Sequence, residues 1–115
     1  MSNPCIFCKI AAGELNADIL FKDEMVTAFR DIHPVAPIHV LIIPNKHIPS
    51  INELSIEDEV LAGKLFSAAK KVAELEKIQN GGYRTIVNTG PHGGQTVFHL
   101  HMHVIGGQRM KHPMG

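Results

Sequence analysis

Three histidines recur at every second position near the end of the chain, at His99, His101 and His103. If this stretch is a β-strand, successive side chains point to opposite faces, so the three imidazoles stand in one row. The residues between them are apolar, as expected for a half-buried strand. A neutral imidazole can be a nucleophile, a general acid or base, or a metal ligand. We therefore predict a strand over residues 98–105 that carries reactive or metal-binding side chains.

A segment rich in glycine and amide side chains leads directly into this strand. Gly93 and Gly94 allow a close approach of the backbone to a ligand and leave N–H groups exposed. Asn88, Gln95 and Thr96 add amides and a hydroxyl nearby. Such an array suits an anion, most simply a phosphate group, so the two stretches together predict a phosphate site beside histidines.

The two cysteines form a Cys5-x-x-Cys8 pair on a predicted short helix, which begins at Asn3 and Pro4 and ends at Gly13. Side chains three positions apart on a helix face the same way. The pair could be a redox motif, half of a zinc site, or two packing residues. A redox motif should follow a strand in a βαβ unit, for which the sequence has no support. Zinc would need two further ligands, and the chain has spare histidines.

The remaining patterns predict the elements that position these residues. Residues 38–43 are a continuous apolar run between two prolines, typical of a central strand covered on both faces. A long helix is predicted over residues 55–76, because Ser55 and Asp58 can form a cap and apolar residues recur at helical spacing. Further strands are predicted at residues 19–21 and 25–29, joined as a hairpin, and at residues 83–88.

Other polar residues occupy informative positions along these elements. His39 lies within the predicted central strand, so it is either a core histidine with a backbone partner or a fourth member of the imidazole cluster. His47 follows the same strand, where a loop could bring it near Cys5 and Cys8. Asp31 follows the second strand and could hydrogen-bond a sugar hydroxyl or simply form a turn.

Composition limits the class of protein. With 115 residues we expect a single domain, residues 1–115. The formal net charge is zero and no basic stripe suggests a nucleic-acid partner. No apolar run predicts a membrane span, and the N-terminus lacks the pattern of a signal peptide. A cytoplasmic location is the expectation that follows.

Taken together, these motifs resemble the histidine triad (HIT) superfamily, whose signature is similar to the segment from His99 to Ile105. The flanking segments look like its HINT branch, the histidine triad nucleotide-binding proteins. The resemblance covers nearly the whole chain in order. The matching segments are residues 5–10, 29–32, 37–44, 93–97 and 106–107.

The resemblance implies an α+β fold in which a five-stranded antiparallel sheet, one long helix and one short helix form each protomer. Two protomers of a homodimer would extend that sheet. It also implies hydrolysis of the P–N bond in AMP-amine compounds through a nucleotidyl-histidine intermediate. The ligands would be purine nucleotides such as AMP and GMP. No cofactor is expected for catalysis, although a structural zinc ion is possible in this family.

The resemblance also assigns roles to individual residues. His101 would be the nucleophile, with His103 and His39 as the other catalytic residues. Nucleotide-binding residues would be Ile6, Phe7, Asp31, Ile32, Asn88, Gly94, Gln95, Thr96, His101 and His103. Ligands for zinc would be Cys5, Cys8, His47 and His99.

Two features depart from the animal members of the branch. Those usually have no cysteine pair, whereas many bacterial relatives have one and bind zinc. An aromatic residue usually stands near the C-terminus, where this chain has His112. Alternative functions are a dinucleoside polyphosphate hydrolase, a nucleotide-binding adaptor with incidental catalysis, and an enzyme with catalytic zinc on the histidines.

Overall fold

The computed structural model describes residues 4–114, and its elements are a five-stranded sheet with a short and a long α-helix. The strands are β1 (Ile19–Lys22), β2 (Val26–Arg30), β3 (Ile38–Pro44), β4 (Tyr83–Val87) and β5 (Met102–Gly106). The helices are α1 (Ile6–Ala11) and α2 (Glu59–Leu75), with 3-10 turns at Ile51–Glu53 and Ile56–Asp58. Within this described part of the chain, no helix has the length and apolar character needed to span a membrane.

The sheet is antiparallel with the order β1-β2-β3-β5-β4. This arrangement confirms the predicted α+β fold. β3 lies at the centre, and its residues from His39 to Pro44 are buried. Helix α2 covers one face of the sheet, where it packs on Val40 and Ile42, and α1 covers the other, where it packs on Leu41 and Ile43.

Helix α2 is anchored by a capping box in which Ser55 and Asp58 bond reciprocally. The predicted helix began at residue 55, but its first turn is the 3-10 turn Ile56–Asp58 and the α-helix begins at Glu59. The carboxylate of Asp58 is buried and also accepts a hydrogen bond from Nζ of Lys46 at 2.7 Å. This contact ties the start of α2 to the segment after β3.

Helix α1 begins two residues later than predicted. Its N-cap is Cys5, whose Sγ accepts the N–H of Cys8 at 3.4 Å, while the predicted cap Asn3 lies outside the described residues. Gly13 has φ of +78° just after the helix, so it ends α1 as predicted. The cap brings both cysteine side chains to the same end of α1.

The predicted strand over residues 98–105 is wrong in its first half, because β5 begins only at Met102. The neighbouring strand β4 ends at Val87, which lies opposite Met102, so the chain before Met102 has no ladder partner on that side of the sheet. The N–H of Leu100 instead donates to the main-chain oxygen of Ile48 at 2.7 Å. Leu100 still packs in the core beside Met102, but Phe98 is 52% exposed rather than buried with them.

Candidate active site and metal site

Two histidines of the row, His101 and His103, border a cavity of about 460 Å³ between α1, the sheet and the loop of residues 31–37, whereas His99 is not among its lining residues. We call it the histidine cavity. Most of its lining is apolar, and its polar members are Asp31, four histidines, Asn16, Arg30 and Thr96. The predicted site residues that line it are Ile6, Phe7, Asp31, Ile32, His39, Thr96, His101 and His103.

Three other predicted site residues, Asn88, Gly94 and Gln95, lie on the glycine-rich segment but are outside the set that lines the cavity among residues 4–114. Asn88 donates from its amide to the main-chain oxygen of Gly93 at 2.7 Å. A side chain at Gly93 would collide with the main-chain oxygen of Thr89 at 2.3 Å, and Gly94 has φ of +82°. Both glycines are therefore required by the fold of this loop itself.

Gln95 is buried and holds the loop in place. Its amide nitrogen donates to the main-chain oxygens of Pro49 at 2.7 Å and Val97 at 3.0 Å, and its amide oxygen accepts the N–H of Gly90 at 2.9 Å. Its own N–H donates to the oxygen of Gly90. Contact of Gln95 with a nucleotide stays a prediction, and its bonds within the chain are those of an anchor.

The tautomer of His101 follows from one hydrogen bond. Its Nδ1 lies 2.8 Å from the main-chain oxygen of His99, which can only accept, so Nδ1 carries the proton. In the neutral ring, Nε2 then keeps its lone pair. His101 is buried against Phe7 at 5.1 Å between ring centroids and lines the histidine cavity. The arrangement leaves a nucleophilic nitrogen for a ligand in the cavity.

A second chain of hydrogen bonds orients His39 and His103. The N–H of Val35 donates to Nδ1 of His39 at 3.2 Å, so the proton of neutral His39 is on Nε2. That nitrogen lies 2.9 Å from Nδ1 of His103 and 3.4 Å from the carboxylate of Asp31. His39 therefore has both a backbone partner and a place in the imidazole cluster, and His103 is left with its proton on Nε2.

Burial keeps these imidazoles neutral. It lowers the pKa of His103 to about 4, and the charges that His101 and His39 would carry act in the same direction. Burial also lowers the pKa of His39, against the opposing effect of Asp31. Neutral rings at pH 7 are what the tautomer assignments require.

Cys5, Cys8, His47 and His99, the four predicted zinc ligands, come together as a cysteine–histidine cluster. Nδ1 of His99 lies 3.3 Å from Sγ of Cys5 and 3.2 Å from Nδ1 of His47. Sγ of Cys8 lies 3.5 Å from Nδ1 of His99 and 3.2 Å from Nδ1 of His47. A tetrahedral zinc site has edges of about 3.3 Å between nitrogens and about 3.6 Å between nitrogen and sulfur. The residues therefore fit a zinc ion.

The proton on His99 supports the same fit. Its Nε2 lies 2.8 Å from the main-chain oxygen of Pro44, so Nε2 donates and Nδ1 keeps its lone pair. Two imidazole nitrogens that meet at 3.2 Å beside two sulfurs are the donor set of a soft or borderline cation. Burial lowers the pKa of His99, which favours the neutral ligand form.

A further group, Asp31, His39 and His103, also brings possible ligand atoms together. Nε2 of His39 donates to Nδ1 of His103 at 2.9 Å, so these two nitrogens face one another. A direct hydrogen bond satisfies them without a metal ion. The geometry is that of a relay between two rings.

Sequence reasoning did not find several residues of the cavity. Leu15, Asn16 and Ala17, which follow α1, line it, as does His33. The role of Val35 comes from its main-chain N–H, so no side-chain pattern could have indicated it. The apolar residues in the segment after α1 have no periodicity that would have predicted a place in the cavity.

An antiparallel sheet that carries neutral imidazoles beside an apolar cavity defines a small α+β domain built around a histidine site. Residues 12–110 match the HIT domain family, so the chain belongs to that family. It is 51% identical over 108 residues to a purine nucleoside phosphoramidase of Escherichia coli K12, covering 94% of this chain and 91% of that protein.

Solved structures are similar throughout the fold. A HIT family hydrolase of Legionella pneumophila has a TM-score of 0.92 and 47% identity, covering 96% of this chain and 99% of that one. A zinc-bound histidine triad family protein of Mycobacterium smegmatis has a TM-score of 0.81 and 26% identity, covering 94% and 78% of the two chains.

Proposed function

We propose that this protein is a hydrolase that cleaves the P–N bond of AMP-amine compounds. The observation that carries the proposal is His101, whose Nδ1–H is held by the oxygen of His99 so that the Nε2 lone pair is left for a ligand in the histidine cavity. The purine nucleoside phosphoramidase of E. coli, with 51% identity, supports the choice of reaction.

The histidine cavity suits a purine nucleotide such as AMP or GMP. Ile6, Phe7 and Ile32 offer apolar walls for a flat base, and Ile32 is 84% exposed. Asp31 lies at the same cavity, where a carboxylate can accept hydrogen bonds from ribose hydroxyls. Thr96 also lines the cavity, and its hydroxyl could contact the phosphate.

The reaction would proceed in two displacements. Nε2 of His101 attacks phosphorus, the P–N bond breaks, and the amine nitrogen takes up one proton from solvent as it leaves. Water then attacks the nucleotidyl-histidine and the N–P bond to His101 breaks, which releases AMP, returns the lone pair to His101 and returns one proton to solvent. His103 would donate its Nε2–H to a phosphoryl oxygen as charge develops there, and His39 would hold His103 in the donor tautomer.

We propose that the cysteine–histidine cluster holds a structural zinc ion. Four protein ligands would close the coordination sphere, so the ion would stabilise the fold and catalysis would not need it. Thiolate ligands require reduced cysteines, which fits a cytoplasmic location.

A second copy of the chain is the partner we propose. Strand β4 forms an edge of the sheet, and its exposed main-chain groups could pair with the same strand of another copy. Val60 and Phe66 on α2 are 77% and 66% exposed, which is a large apolar surface to leave in water. Phe66→Glu should shift the protein from dimer to monomer in sedimentation equilibrium, whereas Lys71→Glu, about 140° away around the same helix, should not.

The decisive experiment combines turnover with trapping of the intermediate. The protein is mixed with an adenosine phosphoramidate, release of AMP is followed, and intact mass is measured after brief exposure. We expect multiple turnovers and a covalent adenylyl adduct on a peptide that contains His101. Binding of AMP without turnover would instead favour a nucleotide-binding adaptor. Faster cleavage of a dinucleoside polyphosphate than of the phosphoramidate would favour a polyphosphate hydrolase.

A further inference from the structure

The loop of residues 31–37 is anchored to His39 at two points. The N–H of Asp31 donates to the main-chain oxygen of His39 at 3.0 Å, and the N–H of Val35 donates to its ring Nδ1 at 3.2 Å. A further bond runs from the N–H of His33 to Oδ1 of Asp31 at 2.8 Å. Pro34 and Pro37 restrict the backbone around Val35. The loop thus holds one main-chain donor against the ring of a buried histidine.

We propose that the main-chain N–H of Val35 is a positioning group that sets the tautomers of His39 and, through it, of His103. The inference rests on the proposed function, because the proton placed on Nε2 of His103 is the one that would serve the phosphoryl group. The side chain of Val35 is 67% exposed, so packing does not account for the position of this residue.

Reversing the first tautomer has consequences at both rings. If His39 carried its proton on Nδ1, that N–H would face the N–H of Val35 at 3.2 Å, and two donors would meet. Nε2 of His39 would then have to accept from Nδ1 of His103 across the 2.9 Å contact. His103 would consequently lose its Nε2 proton and present a lone pair to an anionic phosphoryl oxygen.

Asp31 acts in the same sense as Val35. Its carboxylate lies 3.4 Å from Nε2 of His39 and can only accept while it is ionised, so it also favours a proton on that nitrogen. A sugar hydroxyl that hydrogen-bonded to the carboxylate of Asp31 would weaken the effect of Asp31 on the tautomer of His39. The N–H of Val35 would then be the remaining group that fixes His39 when a nucleotide is bound.

The test removes one hydrogen atom from the backbone. Val35→Pro has no N–H, and Val35→Ala is the matched control that shortens the side chain but keeps the donor. If the proline variant folds poorly, the α-hydroxy acid analogue of valine at this position replaces N–H by oxygen with little change in shape. The readouts are histidine tautomers from ¹⁵N NMR of the metal-replete protein, kcat/KM for an adenosine phosphoramidate, and Kd for AMP.

We expect the wild type and Val35→Ala to carry both protons on Nε2 of His39 and His103. Without the N–H, a measurable Nδ1–H tautomer should appear at both rings. kcat/KM should fall by about threefold to tenfold, the equivalent of one hydrogen bond. Kd for AMP should stay within about twofold, because most of its contacts are elsewhere.

Unchanged ring tautomers in the proline or ester variant would overturn the proposal, as would an equal shift of the tautomers in Val35→Ala. The NMR readout needs no turnover. A wild type that carries the expected tautomers but hydrolyses no phosphoramidate would therefore overturn the proposed function and leave the role of Val35 in setting the tautomers standing.

Discussion

The main-chain oxygen of His99 accepts the Nδ1–H of His101 at 2.8 Å, while the imidazole of His99 is part of the cysteine–histidine cluster. One residue thus orients the proposed nucleophile with its backbone and offers a metal ligand with its side chain. Its Nε2–H is also bonded to the oxygen of Pro44, so its position is fixed from three sides. Loss of the cysteine–histidine cluster should therefore disturb the orientation of His101 as well as lower the stability of the fold.

Replacing His101 by glycine should remove the covalent route. We expect kcat to fall on the order of 10³-fold or more while AMP still binds, because the apolar walls and Asp31 are untouched. Free imidazole can enter the space left by the ring, so added imidazole should restore part of the activity of His101→Gly. Near-normal kcat in the unsupplemented variant would contradict the mechanism.

Metal should be present and structural. We expect close to one zinc ion per chain and a melting temperature that falls on chelation, by about 4 °C for each kcal/mol of lost stability. Cys8→Ser should lower the melting temperature and abolish the effect of chelator, whereas Ser67→Ala should melt and respond like the wild type. If the protein contained no zinc and its melting temperature did not change with chelator, the cysteines would have a packing role instead.

Stability should fall in mild acid. The pKa of His103 is about 4 in the folded protein, against 6.5 when the ring is exposed, so the unfolded chain takes up a proton first as the pH decreases. The contribution is complete above about pH 6.5 and is lost as the pH falls towards 4. His39, whose pKa is also lowered by burial, adds to the same trend.

The measurement is the free energy of unfolding in urea at a series of pH values. The matched comparison is His103→Gln, which cannot titrate at this position but keeps the cysteine–histidine cluster and its own pH dependence. The variant should lose less stability than the wild type between pH 6.5 and 4. Parallel curves for the two proteins would show that His103 does not contribute.

Gln95 should matter for stability as well as for activity. Gln95→Ala leaves the main-chain oxygen of Pro49 and the N–H of Gly90 without their partner, which should cost about 2–3 kcal/mol. The loop that leads to Thr96 would also loosen, so kcat/KM should fall. The exposed Gln79→Ala is the control and should change stability by less than about 0.5 kcal/mol. Equal unfolding curves for the two variants would exclude the anchoring role.

We predict that residues 106–115 influence which amine leaving groups the protein prefers. The tail follows β5, and Nη2 of Arg84 on the edge strand β4 donates to the main-chain oxygen of His112 at 3.0 Å. If a second copy pairs along β4, this tail lies beside the partner, where His112 could reach the pocket for the amine. Truncation after Gly107 should therefore change discrimination between bulky aromatic and small aliphatic AMP-amines.

The measurement is kcat/KM for both substrate types together with Kd for AMP, which should change little. Arg84→Ala keeps the tail but removes its hydrogen bond, so it should change the same preference to a smaller extent. An unaltered preference in the truncated protein would leave the tail without a role in specificity.

The order of elements and the presence of neighbouring imidazoles were predictable because they depend on local patterns. The apolar run from Ile38 to Ile43 predicted the central strand, and the spacing of His99, His101 and His103 predicted a row of imidazoles. These patterns reflect backbone geometry that each segment adopts wherever it lies in the fold. The family signature that they resemble is likewise a property of the chain alone.

Only the tertiary structure decided which nitrogen of each ring carries a proton. Main-chain groups set the tautomers, namely the oxygens of His99 and Pro44 and the N–H of Val35. Residues of any type carry such groups, so the residue types do not indicate which of them will bond to a ring. The late start of the histidine strand was also a tertiary effect, because β4 ends at Val87, opposite Met102, and the N–H of Leu100 bonds to the main-chain oxygen of Ile48 instead. Sequence thus determined which side chains are available, whereas contacts between distant segments determined how each one can react.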